Sequence, residues 1–200
     1  MEILKALQLN TIQKLYFSTS DIARVLGISI ESARVTAVRY TQKKILTRLK
    51  KDIYVLTERI KYMGDSERFM LANIIQTPSY ISLTTALSYN EISTQQQQNY
   101  IESVALNRTK LVHVAQLSFS FSKIQPALYD GYVRTEGFFI ATPEKALADA
   151  VYLAALGRYR CDFHAVNFQK IQKKNVDRFV KKTNTMVVLF WERLCRNFGI

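Results

Sequence analysis

The sequence predicts an α+β protein: an N-terminal winged helix-turn-helix over residues 1–62, then a domain over residues 63–200 in which an antiparallel sheet is flanked by helices. Three observations lead there. Residues 18–57 hold two helical patterns joined at a single glycine turn, and then change to strand periodicity after Lys43-Lys44. Residues 100–140 alternate with a period near two. Residues 142–153 carry a helix start signal followed by a broad apolar face.

The first element expected is a helix over residues 2–16, with Ile3, Leu4, Leu7, Ile12 and Leu15 as its apolar stripe and Asn10-Thr11 as its point of interruption. Next comes the run Ser18-Thr-Ser-Asp-Ile-Ala-Arg-Val-Leu-Gly-Ile-Ser29. Thr19 or Ser20 is placed to cap a helix, because a hydroxyl there accepts a bond from a free N–H of the first turn. Ile22, Ala23 and Leu26 share one face, and the small Ala23 lets a second helix cross closely. Gly27 suits the left-handed turn, Ile28 fills it, and Ser29 caps the next helix. In that second helix Ala33, Ala37 and Tyr40 face the core, while Ser32, Arg34, Val35 and Arg39 lie off it. Two short β-type runs follow, 45–49 and 53–56, with Lys50-Lys51-Asp52 between them as a hairpin tip. Residues 58–65 lead out of the wing, and Gly64-Asp65 marks the domain boundary.

In the second domain, residues 67–76 read as a helix that stops at Thr77-Pro78, since the residue before proline is pushed out of the helical region. Ser79 to Ser82 is extended, and Ser82 is placed to cap a helix through Leu83, Ala86 and Leu87. The four glutamines 95–98 read as an exposed turn. Strict alternation in Ser118-Phe-Ser-Phe-Ser122 puts Phe119 and Phe121 on one face of a strand. Further strands are expected near 111–115, 132–133 and 138–140. Thr142 caps the following helix, Pro143 takes its first position and Glu144 complements its dipole. Gly157 ends it. Two more helices are expected near 167–181 and 185–197.

The chain has 200 residues, a net charge of +12 and a 48% hydrophobic composition, which places it among ordered globular proteins. No apolar run is long enough to cross a bilayer, and the start of the chain lacks a secretory pattern, so a cytoplasmic protein with no membrane partner is expected. The charge is uneven. Residues 1–62 hold 12 Lys+Arg against 5 Asp+Glu, residues 63–160 hold 8 against 8, and residues 161–200 hold 8 against 3. A basic excess on the helix-turn-helix and on the tail suits a polyanion. The expected interface with double-stranded DNA consists of Thr19, Ser29, Ser32, Arg34, Val35 and Arg39 on the helices, with Arg48, Lys50 and Lys51 holding backbone from the wing. Arginine pairs bidentately with guanine, which suits Arg34 and Arg39 to a groove. Lys170, Lys173, Lys174, Lys181 and Lys182 form an accessory basic surface.

Three segments together resemble the AbiEi family of antitoxins and transcriptional regulators. They are Ile45-Leu-Thr-Arg-Leu-Lys-Lys-Asp-Ile-Tyr-Val-Leu56, Pro78-Ser-Tyr-Ile-Ser-Leu-Thr-Thr-Ala-Leu87, and the stretch 137–149 containing Thr142-Pro-Glu-Lys-Ala-Leu147. Residues beyond about 158 match no motif of that family. The resemblance implies a repressor of its own promoter and a partner toxin like a nucleotidyltransferase, bound directly or indirectly; a symmetric operator would need a dimer, since protein symmetry mirrors half-site symmetry. Asp52 stands where the family commonly has a wing-tip glycine; aspartate tolerates that geometry, though its charge weakens a phosphate contact.

No catalytic constellation, cofactor motif or metal site is evident. His113 sits in a β-rich run, where a core position is expected, and His164 is isolated. Cys161 and Cys195 are far apart and read as two free thiols, and Cys161-Asp-Phe-His164 lacks a second ligand pair. Glu144 and Lys145 read as capping rather than as an acid–base pair. A protein-interaction module, in which the winged helix and basic tail hold a protein such as the toxin, is the alternative reading; an enzyme on the second domain is a third.

Overall fold

The computed structural model describes residues 8–95 and 97–200. Residues 2–7 of the opening helix expected over residues 2–16 lie outside that range. Within it, helical structure ends in a 3₁₀ turn, Leu9–Thr11, and the chain then runs non-helical into strand β1, Phe17–Ser18. Asn10-Thr11 is therefore an end and not an interruption. Leu9 and Ile12 are nonetheless buried, and they anchor this segment to the helices that follow.

Helix α1 spans Thr19–Leu26 and helix α2 spans Ile30–Gln42. The cap of α1 is Ser18, one residue before the expected position. Its hydroxyl accepts the Asp21 N–H, and Asp21 returns a bond to the Ser18 N–H at 2.9 Å, which closes a reciprocal capping box. Gly27 takes the left-handed conformation at φ 62°, where a side chain would be strained. Ser29 caps α2 as expected, accepting from Ser32 N at 3.2 Å. Strands β2, Leu46–Lys50, and β3, Ile53–Leu56, form an antiparallel wing with a bulge between Arg48 and Lys50. Strand β1 adds to the other edge of β3. Ile22, Ala33, Ala37, Tyr40, Leu46 and Tyr54 fill a first core between the helices and this small sheet.

A 3₁₀ turn, Glu58–Tyr62, leads to helix α3, Asp65–Ile75. Then come β4, Ser79–Ile81; α4, Leu83–Tyr89; β5, Tyr100–Ala105; β6, Lys110–Val114; β7, Leu117–Lys123; β8, Tyr132–Thr135; and β9, Phe138–Ala141. Helix α5 spans Pro143–Ala155, α6 Lys173–Val180 and α7 Thr185–Phe198. The α+β class holds. The sheet, however, is mixed and not purely antiparallel. Its order is β6-β7-β5-β4-β9-β8, with β5 parallel to β7 and β4 parallel to β9. Alternation fixes which side chains face the core, and it is silent on which strand lies beside which. Here the β6–β7 hairpin turns back so that β7, not β6, lies against β5. Leu117, Phe119 and Phe121 all point inward, as their spacing requires.

The helix expected over 167–181 begins only at Lys173; Phe168–Lys170 is a separate 3₁₀ turn. The second core gathers both faces of this arrangement, including Leu71, Tyr80, Val104, Phe121, Leu147 and Trp191. Leu49 and Val55 of the wing belong to it as well. One face of the wing thus packs on the second domain, which fixes the wing's orientation relative to the large sheet.

Candidate nucleic-acid interface

Helix α2 buries one side and bares the other. Ala33, Thr36, Ala37 and Tyr40 are inside. Ser32, Arg34, Val35, Val38 and Arg39 are outside, with Val35 68% and Val38 55% exposed. At 3.6 residues per turn these outward positions fall within one broad arc, so they form a surface and not a scatter. The guanidinium of Arg39 also lies 5.9 Å from the Tyr40 ring. Ser29 is exposed at the N-terminus of α2, where backbone N–H groups suit an anion. Arg48, Lys50 and Lys51 are exposed on the wing, and Arg48 Nε donates to the Lys50 carbonyl across the bulge at 3.2 Å. Eight of the nine expected residues therefore reach solvent on α2 and the wing.

Thr19 does not. It is 4% exposed, its N–H donates to the Asp52 carbonyl at 3.2 Å, and its hydroxyl bonds the Asp52 carboxylate at 3.2 Å. The sequence could not reveal this pairing, because the two residues are 33 positions apart. It also changes the role of Asp52. The residue adopts φ 58° at the wing tip, and its carboxylate accepts the Thr19 hydroxyl, tying the tip to the start of α1.

The start of α1 is held by charge as well. Asp21 sits between Lys14 Nζ at 2.8 Å and Arg24 at 2.9 Å. Burial acts to raise the Asp21 carboxyl, but the Lys14 ammonium and the two Ser18 donors outweigh it and hold the carboxyl at about 2.

The accessory basic surface is partly committed to the fold. Lys170 donates to the Glu91 carbonyl at 3.1 Å, Lys173 to the Ile200 carbonyl at 2.8 Å, and Lys182 to Asp130. All five lysines, Lys174 and Lys181 included, are exposed.

A second polar constellation lies in the interior. Lys145 Nζ donates to Asp149 Oδ1 at 2.6 Å and to the Leu128 carbonyl at 2.7 Å. Asp149 Oδ2 accepts from Tyr80 at 2.9 Å and from Ser82 at 2.8 Å. All four side chains are at most 3% exposed. Burial pushes the Asp149 carboxyl upward, against Lys145 and the two hydroxyls. Lys145 is therefore not a surface cap residue, and the Ser82 hydroxyl goes to Asp149 instead of capping α4. One signal for this was present: Lys145 and Asp149 stand four apart in an otherwise apolar helix. Their partners Tyr80 and Ser82 are more than 60 residues away and carry no such signal.

Nearby, Glu102 is 3% exposed and accepts from Tyr159 at 3.0 Å; burial raises its carboxyl to about 7. Cys161 and Cys195 are free thiols, and burial pushes Cys161 up to about 12, the reverse of an activated nucleophile. His113 is exposed rather than in the core, and its Nδ1 lies 3.0 Å from the Ser118 hydroxyl. Among the described residues no group of three or more His, Cys, Asp or Glu is placed to hold a metal, and no helix is long and apolar enough to cross a membrane.

No family model matches the chain, and no curated protein does. Among solved structures, the RV2827C protein from Mycobacterium tuberculosis matches with a TM-score of 0.59 at 13% identity, over 92% of this chain and 72% of its own. At that identity the likeness is one of fold.

Proposed function

We propose that this protein is a DNA-binding repressor of its own promoter and the antitoxin of a two-gene module whose toxin resembles a nucleotidyltransferase. The observation that carries DNA binding is the bare outer face of α2, where Ser32, Arg34, Val35 and Arg39 stand together beside the basic wing. A protein that kept this helix only as scaffold would have no need to leave two arginines and two valines outward in one arc. Arginine forks suit guanine and phosphate, and the valines suit thymine methyl groups. Arg48, Lys50 and Lys51 extend the contact to neighbouring phosphates. A symmetric operator would take two copies. The antitoxin role rests on the family resemblance of the three segments, and a repressor of its own promoter would act in the cytoplasm.

The test is binding to the duplex upstream of the gene, beside random duplex of equal length. The Arg34→Ala/Arg39→Ala variant should lose at least tenfold on the upstream fragment, since each base or phosphate contact contributes about 1–3 kcal/mol. Equal affinity for both fragments, unchanged in the variant, contradicts the operator reading. Val35 and Val38 favour one alternative, in which α2 docks on a protein such as the toxin. In that case a pull-down with the neighbouring gene product would be lost on Val35→Asp while DNA binding is absent from the start.

A further inference from the structure

Between the N-terminal segment and the edge of the large sheet lies a cleft of about 340 Å³ walled by aromatic rings. Tyr16 comes from the segment entering β1, Met70 and Ile74 from α3, and Tyr129, Tyr132 and Phe139 from the region of β8 and β9. The rings on the sheet side form a continuous layer. Tyr132 stacks on the buried Tyr80 at 4.8 Å and 16°, tilts against Tyr129 at 5.2 Å, and meets Phe139 edge-on at 5.9 Å. Phe139 is 40% exposed, so its ring is open to the cleft as well as to its neighbours.

The polar groups of the lining narrow what could enter. No charged side chain lines the cleft. Asn73 spends both ends of its amide internally, donating to the Ser79 carbonyl at 3.2 Å and accepting from Phe139 N–H at 2.7 Å. The Thr77 hydroxyl donates to the Asn73 carbonyl at 2.8 Å and the Ser79 hydroxyl to the Gln76 carbonyl. The phenol hydroxyls of Tyr16, Tyr129 and Tyr132 have no partner among the described residues. What remains is a set of π-faces with three phenol groups, and no counter-charge.

We infer that this cleft is a binding site for a flat, uncharged heteroaromatic molecule of one or two rings. The volume falls in the range of small-ligand clefts, roughly 300–1,000 Å³. Offset-stacked and edge-on rings are the contacts an aromatic ligand gains most from, and the phenols supply the few directional bonds that fix its orientation. The lining shares no residue with the DNA-facing surface, so its test is independent of the reading above.

The probe is indole, followed by NMR on protein labelled at the methionine methyl groups. Met70 lines the cleft, whereas Met63 is buried elsewhere in the core and Met186 is on an outer face of α7, so the three report separately. Indole should shift the Met70 methyl along a saturable curve and leave Met63 and Met186 in place. Phe139→Ala and Tyr16→Ala should each weaken that curve at least fivefold with Met63 and Met186 unmoved, which also certifies the fold of each variant. Benzoate, a flat anion, should not shift Met70. A Met70 signal that stays fixed up to the solubility limit of indole, or that drifts linearly with the other two, overturns the site. Equal curves in wild type and both variants overturn it too, and an equal response to benzoate overturns the ligand class.

Discussion

The two halves of this molecule use polar side chains in opposite directions. In the winged helix the arginines, lysines and serines of interest point outward, and the core beneath them is made of Ile22, Ala33, Ala37 and Tyr40. In the second domain the sharpest polar group points inward, with Lys145, Asp149, Tyr80 and Ser82 closed over one another. The difference teaches how to read the segments that carry the family resemblance. The stretch 78–87 supplies Tyr80 and Ser82, and the stretch 137–149 supplies Lys145 and Asp149, so both meet at one buried carboxylate. Their pattern is one that specifies the fold. The wing segment 45–56 does both, since Leu49 and Val55 face the second core while Arg48, Lys50 and Lys51 face solvent.

The most forceful way to break this contrast is to cut the buried network. Asp149→Ala leaves the Lys145 ammonium without its counter-charge and should cost about 3–5 kcal/mol, a fall in Tm on the order of 10 °C. A Lys145→Met/Asp149→Leu double variant should recover part of that loss, because no charge is then left alone. Thermal unfolding followed by circular dichroism reads both. The wing supplies the next effect. Leu49→Ala should cost about 2–5 kcal/mol, whereas Lys50→Ala and Lys51→Ala should stay within about 0.5 kcal/mol in the same assay and act on DNA binding alone.

Glu102 sharpens the inward half through pH. Its folded carboxyl is raised to about 7 from an ordinary 4.5, so across that window the folded state holds a proton that the unfolded chain has released. Stability from this group is full below 4.5 and is lost as pH rises through about 7. Glu102→Gln should remove that dependence and raise Tm at pH 8 by a few degrees relative to wild type. At the outward half the effect is smaller and of opposite sign. Ser18→Ala should cost about 1 kcal/mol by opening the capping box of α1. The Asp21 carboxyl is held at about 2, so its contribution is full above 3.8 and is lost as pH falls through about 2; Asp21→Asn should flatten the acid limb of a stability profile.

Local rules carried far in this sequence. Gly27, Ser29, Thr142 and Pro143 fixed turns and helix starts because those features depend on neighbours within four residues. The exposed face of α2, with Ser32, Arg34, Val35 and Arg39 on it, followed from period 3.6 alone, and the exposed basic wing tip followed from its place between two strands. What could not be read depends on distant partners. The parallel pairings of β5 with β7 and of β4 with β9 are choices of topology. Thr19 lost its place at the surface to Asp52, and three of the five accessory lysines, though exposed, bond to carbonyls or carboxylates elsewhere in the chain. Lys145 looked like a capping residue from its neighbours and became a core residue through Tyr80 and Ser82.

The most direct test of the central claim, that the outward face of the winged helix binds duplex DNA, is the salt dependence of affinity for the upstream fragment. Wild type should show a steep linear fall of log affinity with log salt, about −0.9 for each phosphate neutralised. Removing Lys50 and Lys51 together should flatten that slope by about 2 with the preference over random duplex kept. Removing Arg34 and Arg39 should erase the preference itself. A slope and a preference that are the same in wild type and in both variants would contradict the account, and would assign this face to a protein partner.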